Sequence, residues 1–229
     1  MAGLHTGHRP QVVFVCEERA AELDARLDLT SGGSAVYPVS RRVAERLTTL
    51  ETPPDVMAVF PLPERPAPLA PADDLLLVYA DGIADPGNMG TLLRAAVAFG
   101  ASALATAPGS ADVYGPKTVR GSMGAVFGLP LFPDVELAGL VRDLRLECVY
   151  GLAAHEGLPL AQAGLRRPAA LVVGAERPGL SAAAAAQVTQ LVTIPLAPAV
   201  PGVVESLNAG VAGALALYEF SRPVAPAKG

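Results

Sequence analysis

The chain is predicted to fold as an α/β protein: a parallel sheet covered by helices on both faces, preceded by a small α/β domain. Three observations predict this. Short apolar runs alternate with helical segments along most of the 229 residues, the order that builds βαβ crossovers and a parallel sheet. The runs, such as LLLVYA (75–80) and AALVVG (169–174), are continuous and do not alternate with polar residues, as in strands covered on both faces. Hydrophobic residues make up 51% of the chain and charged residues 17%, enough apolar surface for a large core and too much for a disordered chain.

The elements follow in order. VVFVC (12–16) reads as a buried strand, ERAAELDARL as a helix, AVYPV as a second strand, SRRVAERL as a helix with a Ser cap, and VMAVF (56–60) as a third strand. PLPERPAPLAPADD then places five prolines between 61 and 71. Proline fixes φ and lacks a donor, so this stretch is a stiff, extended linker. Domain boundaries are therefore set at 1–62 for a small first domain, 63–74 for the linker and 75–229 for the main domain. In the main domain LLLVYA is a strand, NMGTLLRAAVAF a helix and SALATA (102–107) a strand. GPKTVRGSMGA is polar and glycine-rich with helical character, and AVFGLPLF holds a short strand. PDVELAGLVRDLR is an amphipathic helix, LECVYGLAA a strand, AALVVG a strand, SAAAAAQV a helix, QLVTIPL a strand and SLNAGVAGALALYEF the last helix. No internal repeat interrupts this order.

Composition narrows the function classes. No apolar run reaches the roughly 18–20 residues that span a bilayer, and MAGLHTGHRP carries no apolar signal region. The two cysteines, Cys16 and Cys148, are expected as reduced thiols in a cytoplasmic protein. The net charge of -5 argues mildly against nucleic acid, which is bound through Lys and Arg. Basic residues nevertheless gather locally, at Arg41, Arg42 and Arg46 and again at Arg94, Lys117 and Arg120.

In an open α/β sheet, ligands sit beyond the carboxyl ends of the strands. Three segments there are unusual: DGIADPGNMG (81–90), GAERPGLS (174–181) and IPLAPAVPGVVESLN (194–208). None is a dinucleotide or P-loop fingerprint. Gly121, Ser122 and Gly124 resemble a nucleophile elbow, but Arg120 stands where its first glycine belongs. His5, His8 and His155 lack metal-ligand spacing. Each segment has a purely structural reading as well: Asn88 as a helix cap after an Asp85-Pro86-Gly87 turn, Glu176 as a loop carboxylate, Ser206 as the cap of the last helix with Asn208 in its first turn. Arg94 is the exception, because its neighbours Leu93, Val97 and Ala98 are apolar. A charge buried among them must be paired or functional.

Taken together, the three segments resemble the SpoU-type branch of the SPOUT methyltransferases. The first motif is matched by Asp85-Pro86-Gly87-Asn88-Met89-Gly90 through Arg94 and Ala95, followed by Tyr114 to Gly124. The second is matched by Leu171-Val172-Val173-Gly174-Ala175-Glu176 with Gly179-Leu180-Ser181, and the third by Ile194-Pro195-Leu196, Glu205-Ser206-Leu207-Asn208 and the final helix to Glu219. The likeness covers residues 75–220 in the correct order. Two departures stand out. The loop from 197 to 204, with Pro198, Pro201 and Gly202, is longer than usual, and residues 12–60 resemble only the later part of the ribosomal-protein-like domain that binds RNA in this family.

The resemblance implies a parallel α/β sheet with a deep trefoil knot in the C-terminal domain, and a dimer of identical chains. It implies methyl transfer from S-adenosylmethionine to ribose 2'-hydroxyls of RNA, ribosomal RNA before transfer RNA, with no metal because the sulfonium is already activated. Gly174, Ile194, Leu196, Ser206 and Leu207 would contact the cofactor. Arg94, Asn88, Glu176, Ser206 and Asn208 would form the catalytic set, with Arg94 near the cofactor of the partner subunit. A guanidinium stays protonated in proteins, so Arg94 is expected to orient the hydroxyl and stabilise developing oxyanion charge. Arg41, Arg42, Lys117 and Arg120 would meet RNA phosphate. The other readings are a transfer-RNA 2'-O-methyltransferase and a non-catalytic, dimeric RNA-binding protein of the same fold.

Overall fold

The structure is a computed structural model, and it describes residues 6–27, 33–63, 66–197 and 205–222. The chain divides into two compact units, Met1–Glu64 and Arg65–Gly229. Pro198, Pro201 and Gly202 of the long third-motif loop lie outside the described residues.

The first unit is a three-stranded sheet in the order β2-β1-β3. β1 (Val12–Cys16) leads through a 3₁₀ turn into α1 (Ala20–Leu27); β2 (Ala35–Val39), α2 (Arg41–Leu47) and β3 (Val56–Val59) follow. β1 runs parallel to β2, with Val12 opposite Ala35, and antiparallel to β3, with Val12 opposite Val59. Val13, Val15, Cys16, Leu23 and Ala44 form its small core. Ser40 does stand at the N-cap of α2, but its side chain makes no capping hydrogen bond. Asp55 gathers the charges here, accepting from Arg19 at 2.5 Å and lying 3.6 Å from Arg41.

The second unit holds seven parallel strands in the order β6-β5-β4-β9-β7-β10-β8. In chain order these are β4 (Leu76–Asp81), α3 (Pro86–Ala98), β5 (Ala103–Thr106), α4 (Pro116–Gly121), β6 (Leu131–Phe132), α5 (Leu137–Asp143), β7 (Cys148–Ala153), β8 (Leu158–Pro159), β9 (Ala169–Gly174), α6 (Ala182–Ala185), β10 (Gln190–Thr193) and α7 (Ala209–Ser221). Every residue of β4 is buried, and its side chains divide between two cores. Leu76, Val78 and Ala80 join Leu171, Val173, Leu92 and Leu217 in one; Leu77 and Tyr79 join Ala170, Val172, Leu137 and Ala184 in the other. Helices on both faces account for the continuous apolar runs. Leu69, from the proline-rich stretch, packs against the second core.

The helix starts differ from the expected caps. Asp85, not Asn88, caps α3: its Oδ2 accepts the Asn88 N–H at 2.8 Å, with Pro86 in the first turn. Asn208, not Ser206, caps α7, accepting the Val211 N–H at 3.2 Å. α7 lies very close to α3. A Cβ on Gly210 would sit 3.0 Å from the Asn88 carbonyl oxygen, and one on Gly213 would sit 2.5 Å from Leu92 Cδ1. Small residues on α7 therefore let the two helix N-termini approach each other.

Candidate active site

β9 enters the sheet between β4 and β7, and β10 enters between β7 and β8. The carboxyl ends of β7, β9 and β10 thus lie side by side, at the position where open parallel sheets bind ligands. A cleft of about 1010 Å³ opens there. Its walls come from the end of β7 and the following loop (Leu152–Glu156), from the end of β9 and its loop (Val173–Leu180), and from Ile194, Leu196 and Glu205–Leu207. Gly174, Ile194, Leu196, Ser206 and Leu207 all line it, as does Glu176.

Beside the cleft, three residues from the three motifs meet. Asn208 Nδ2 donates to Asn88 Oδ1 at 2.6 Å and to Glu176 Oε1 at 3.0 Å. Asn88 Nδ2 donates to the same Glu176 oxygen at 3.1 Å. Both amides converge on one carboxylate, and charge-assisted bonds of this kind are stronger than neutral ones. The backbone of each helix start fixes its Asn: Asn88 gives its N–H to the Asp85 cap, and Asn208 is itself a cap.

Arg94 departs from expectation. It is exposed on α3, although Leu92, Leu93, Ala95 and Ala96 around it are buried. Among the described residues it has neither a hydrogen-bond nor an ion-pair partner, and it does not line the cleft of its own chain. The apolar neighbours belong to the packed faces of α3, while Arg94 shares the open side with Thr91 and Ala98. Lys117 and Arg120 are exposed on α4, and Arg42 is exposed on α2; Arg41 faces Asp55. The elbow-like Ser122 is buried and donates to the Val119 carbonyl at 2.7 Å, so no nucleophile is presented there.

Sequence reasoning missed two contributors. The first is the loop after β7, whose His155 and Glu156 line the cleft; from sequence, His155 showed only a lack of metal-ligand spacing. Thr193 Oγ1 donates to the Ala154 carbonyl at 3.3 Å, and Gly157, at φ +105°, lies against the backbone of Leu191, which pins this loop to β10. The second is Asp81, a carboxylate ending an apolar run, buried beside the loop after β9.

The cleft suits S-adenosylmethionine chemically. Leu152, Val173, Ile194 and Leu207 offer apolar surface to a purine. Glu156, Glu176 and Glu205 offer carboxylates to ribose hydroxyls and to an ammonium or sulfonium charge.

The knit of three motifs around one carboxylate, at the carboxyl end of a parallel sheet, defines a SpoU-type methyltransferase domain, and the chain belongs to the SpoU rRNA methylase family, whose model matches residues 75–218. Among individual relatives, it is 35% identical over 190 residues to the 23S rRNA (guanosine(2553)-2'-O)-methyltransferase of Bacillus subtilis, covering 82% of this chain and 73% of that one. It is 36% identical over 180 residues to the 23S rRNA (uridine(2479)-2'-O)-methyltransferase of Streptomyces viridochromogenes, covering 75% of this chain and 61% of that one. The crystal structure of the SpoU methyltransferase AviRb from Streptomyces viridochromogenes, in complex with AdoMet, superposes with a TM-score of 0.80 at 29% identity, covering 96% of this chain and 85% of that one.

Proposed function

We propose that this chain transfers a methyl group from S-adenosylmethionine to a ribose 2'-hydroxyl of ribosomal RNA, with 23S rRNA as the first candidate because both relatives above carry it in their names. The observation that carries this reading is the convergence of Asn88, Glu176 and Asn208 beside the cleft. Gly174, Ile194, Leu196, Ser206 and Leu207 would hold the cofactor. When bound, it supplies a methyl carbon on a positively charged sulfur that is already a good leaving group.

The residues of the chain then have separate tasks. Glu176 holds the two amides in place, and Asn88, tied at both its N–H and its side chain, positions the RNA backbone or Arg94. Arg94 presents a guanidinium without a partner among the described residues, suited to orient a 2'-hydroxyl and to stabilise charge growing on its oxygen. A permanently protonated group removes no proton, so the proton leaves to phosphate or water. Lys117, Arg120 and Arg42, all exposed, would contact phosphate; the first unit would assist RNA binding, and the work would take place in the cytoplasm.

Two further features belong to this reading. α7 carries Val211, Leu215 and Tyr218 exposed at helical spacing, an apolar stripe suited to a second copy of the chain. A homodimer built on it would bring Arg94 of one subunit toward the cleft of the other, which accounts for its absence from its own. The trefoil knot fits the strand order, in which β10 lies beyond β7 while α7 packs against α3 and β9.

Transfer of labelled methyl to purified 23S rRNA tests the proposal, with 2'-O-methyl mapping of rRNA from a deletion strain. One mark should vanish on deletion and return on complementation. Unchanged marks, with no label entering rRNA, would reject it.

A further inference from the structure

We propose that Asp81 is a positioning residue that grips the cleft-wall loop Gly174–Ser181 at both ends, so that this wall is ordered before any ligand arrives. The inference rests on the reading that the cleft holds S-adenosylmethionine.

Asp81 ends β4 and is 4% exposed. Its backbone is paired with Gly174 in the β4–β9 register, the residue where the loop departs. Its side chain reaches the residue where the loop returns: Oδ2 accepts the Ser181 N–H at 2.6 Å, and Oδ1 accepts the Ser181 hydroxyl at 3.0 Å. Between these grips Ala175 bridges Gly179. The space a Cβ of Gly174 would need is filled by the Gly179 carbonyl, 2.5 Å away. The enclosed segment, Ala175–Leu180, lines the cleft and carries Glu176.

The chemistry explains a carboxylate at this position. Among the described residues no cation pairs with Asp81. A buried carboxylate without a cation needs hydrogen-bond donors, and Ser181 supplies one to each oxygen. Ser181 Oγ also accepts the Ala184 N–H at 3.1 Å as the cap of α6, so one serine rotamer satisfies the clamp and the helix start together. An Asn in place of Asp81 would turn an NH₂ group toward one of the two serine donors. Without the clamp, the loop would have to order when ligand binds, and that cost would appear as weaker affinity. Asp81 touches neither ligand nor reacting atoms in this arrangement; it acts through the loop.

The test compares Asp81→Asn, Ser181→Ala, Ser181→Thr and the Asp81→Asn/Ser181→Ala double variant. Amide hydrogen exchange of 175–181 is read in the ligand-free protein, and calorimetry gives the Kd for S-adenosylmethionine. Kinetics give KM for each substrate. Both single disruptions should raise exchange across 175–181 and weaken cofactor binding about tenfold, as for loss of a hydrogen bond to a charged group. KM for RNA should stay within about twofold. The double variant should be no worse than either single one, because the two groups act as a unit, and Ser181→Thr should bind as wild type does. Asp81→Asn keeps the α6 cap, whereas Ser181→Ala removes the hydroxyl donor and the cap but leaves the carboxylate and the residue-181 backbone N–H, so either variant answers if the other does not fold. Wild-type exchange and wild-type Kd in both disruptions would overturn the clamp. Failure of the wild-type protein to bind S-adenosylmethionine would instead strike the cofactor reading, and the ligand-free exchange would still decide the clamp.

Discussion

Asn208 donates a 2.6 Å hydrogen bond to Asn88, across 120 residues of sequence, and both amides donate to Glu176 Oε1. Each Asn sits at the N-terminal start of its helix, and those two starts are pressed together by Gly210 and Gly213. The network is therefore a product of helix packing, and its geometry is inherited from the crossing of α3 and α7.

Truncating Asn208 separates two effects. Asn208→Ala removes both the α7 cap and two network bonds; it should lower stability by about 1 kcal/mol and methyl transfer by about 100-fold, the scale of a small misplacement in a reacting geometry. Asn208→Asp keeps the capping oxygen but sets a second carboxylate against Glu176. It should recover the cap contribution, measured by urea titration, without recovering transfer. Transfer within twofold of wild type in the Ala variant would show that the network does not govern the chemistry.

Arg94→Ala should lower kcat by a factor on the order of 10²–10³, the range for removing one oxyanion donor. Its Kd for S-adenosylmethionine should be unchanged, because the role proposed for Arg94 is toward the 2'-hydroxyl and not toward the residues that line the cofactor cleft. Arg94→Lys should not restore activity, since an ammonium lacks the planar fork. Mixing Arg94→Ala with Asn208→Ala subunits should regain activity if each dimer site draws Arg94 from the partner. Leu215→Glu, on the exposed stripe of α7, should yield monomers by sedimentation and abolish that recovery.

The strands were legible because burial on both faces leaves an unbroken apolar run, so LLLVYA and AALVVG matched β4 and β9 within a residue. β8, with two residues, has too little length to leave a pattern. Cap assignment failed where two candidates stood close together: Asp85 precedes Pro86, which prefers the first helical turn, and that arrangement frees the Asn88 side chain for Glu176. Arg94 was expected among buried neighbours, but Leu93 and Ala95 face the core and leave its side of α3 open. The motif residues could be recognised individually. Their meeting depends on β9 entering between β4 and β7, which no local pattern encodes. Asp81 was missed for the same reason, since its partner Ser181 is 100 residues away.

Glycines in this chain differ by what surrounds them. A Cβ on Gly90 would lie 2.8 Å from the backbone carbonyl carbon of Gly121, where α3 meets α4, and backbone cannot move aside as a side-chain tip can. Gly90→Ala should destabilise by about 1–3 kcal/mol. Gly139, within α5, meets only the tip of Arg142 at 3.9 Å. Gly139→Ala should stabilise by about 0.5–1 kcal/mol, through the lower chain entropy of Ala in a helix. Thermal unfolding of the pair reads both signs, and a stabilised Gly90→Ala would show that α3 and α4 are not in close contact.

Alkaline pH probes the second core. The Tyr79 hydroxyl is buried and donates to the Val135 carbonyl at 2.9 Å. Burial, then the nearby charge of Asp81, raise its pKa above the ordinary value near 10. Below about pH 10 the phenol is neutral in both folded and unfolded chains, so its contribution is constant. Above that, the unfolded chain ionises first, and stability falls with rising pH until the folded pKa is passed. Tyr79→Phe removes this loss, while costing about 1 kcal/mol at neutral pH for the missing hydrogen bond. Urea midpoints at about pH 8 and about pH 11 should therefore differ less in Tyr79→Phe than in wild type. Tyr114 and Tyr150, whose pKa values burial also raises, should leave a residual slope, and equal differences in both proteins would place the titrating groups elsewhere.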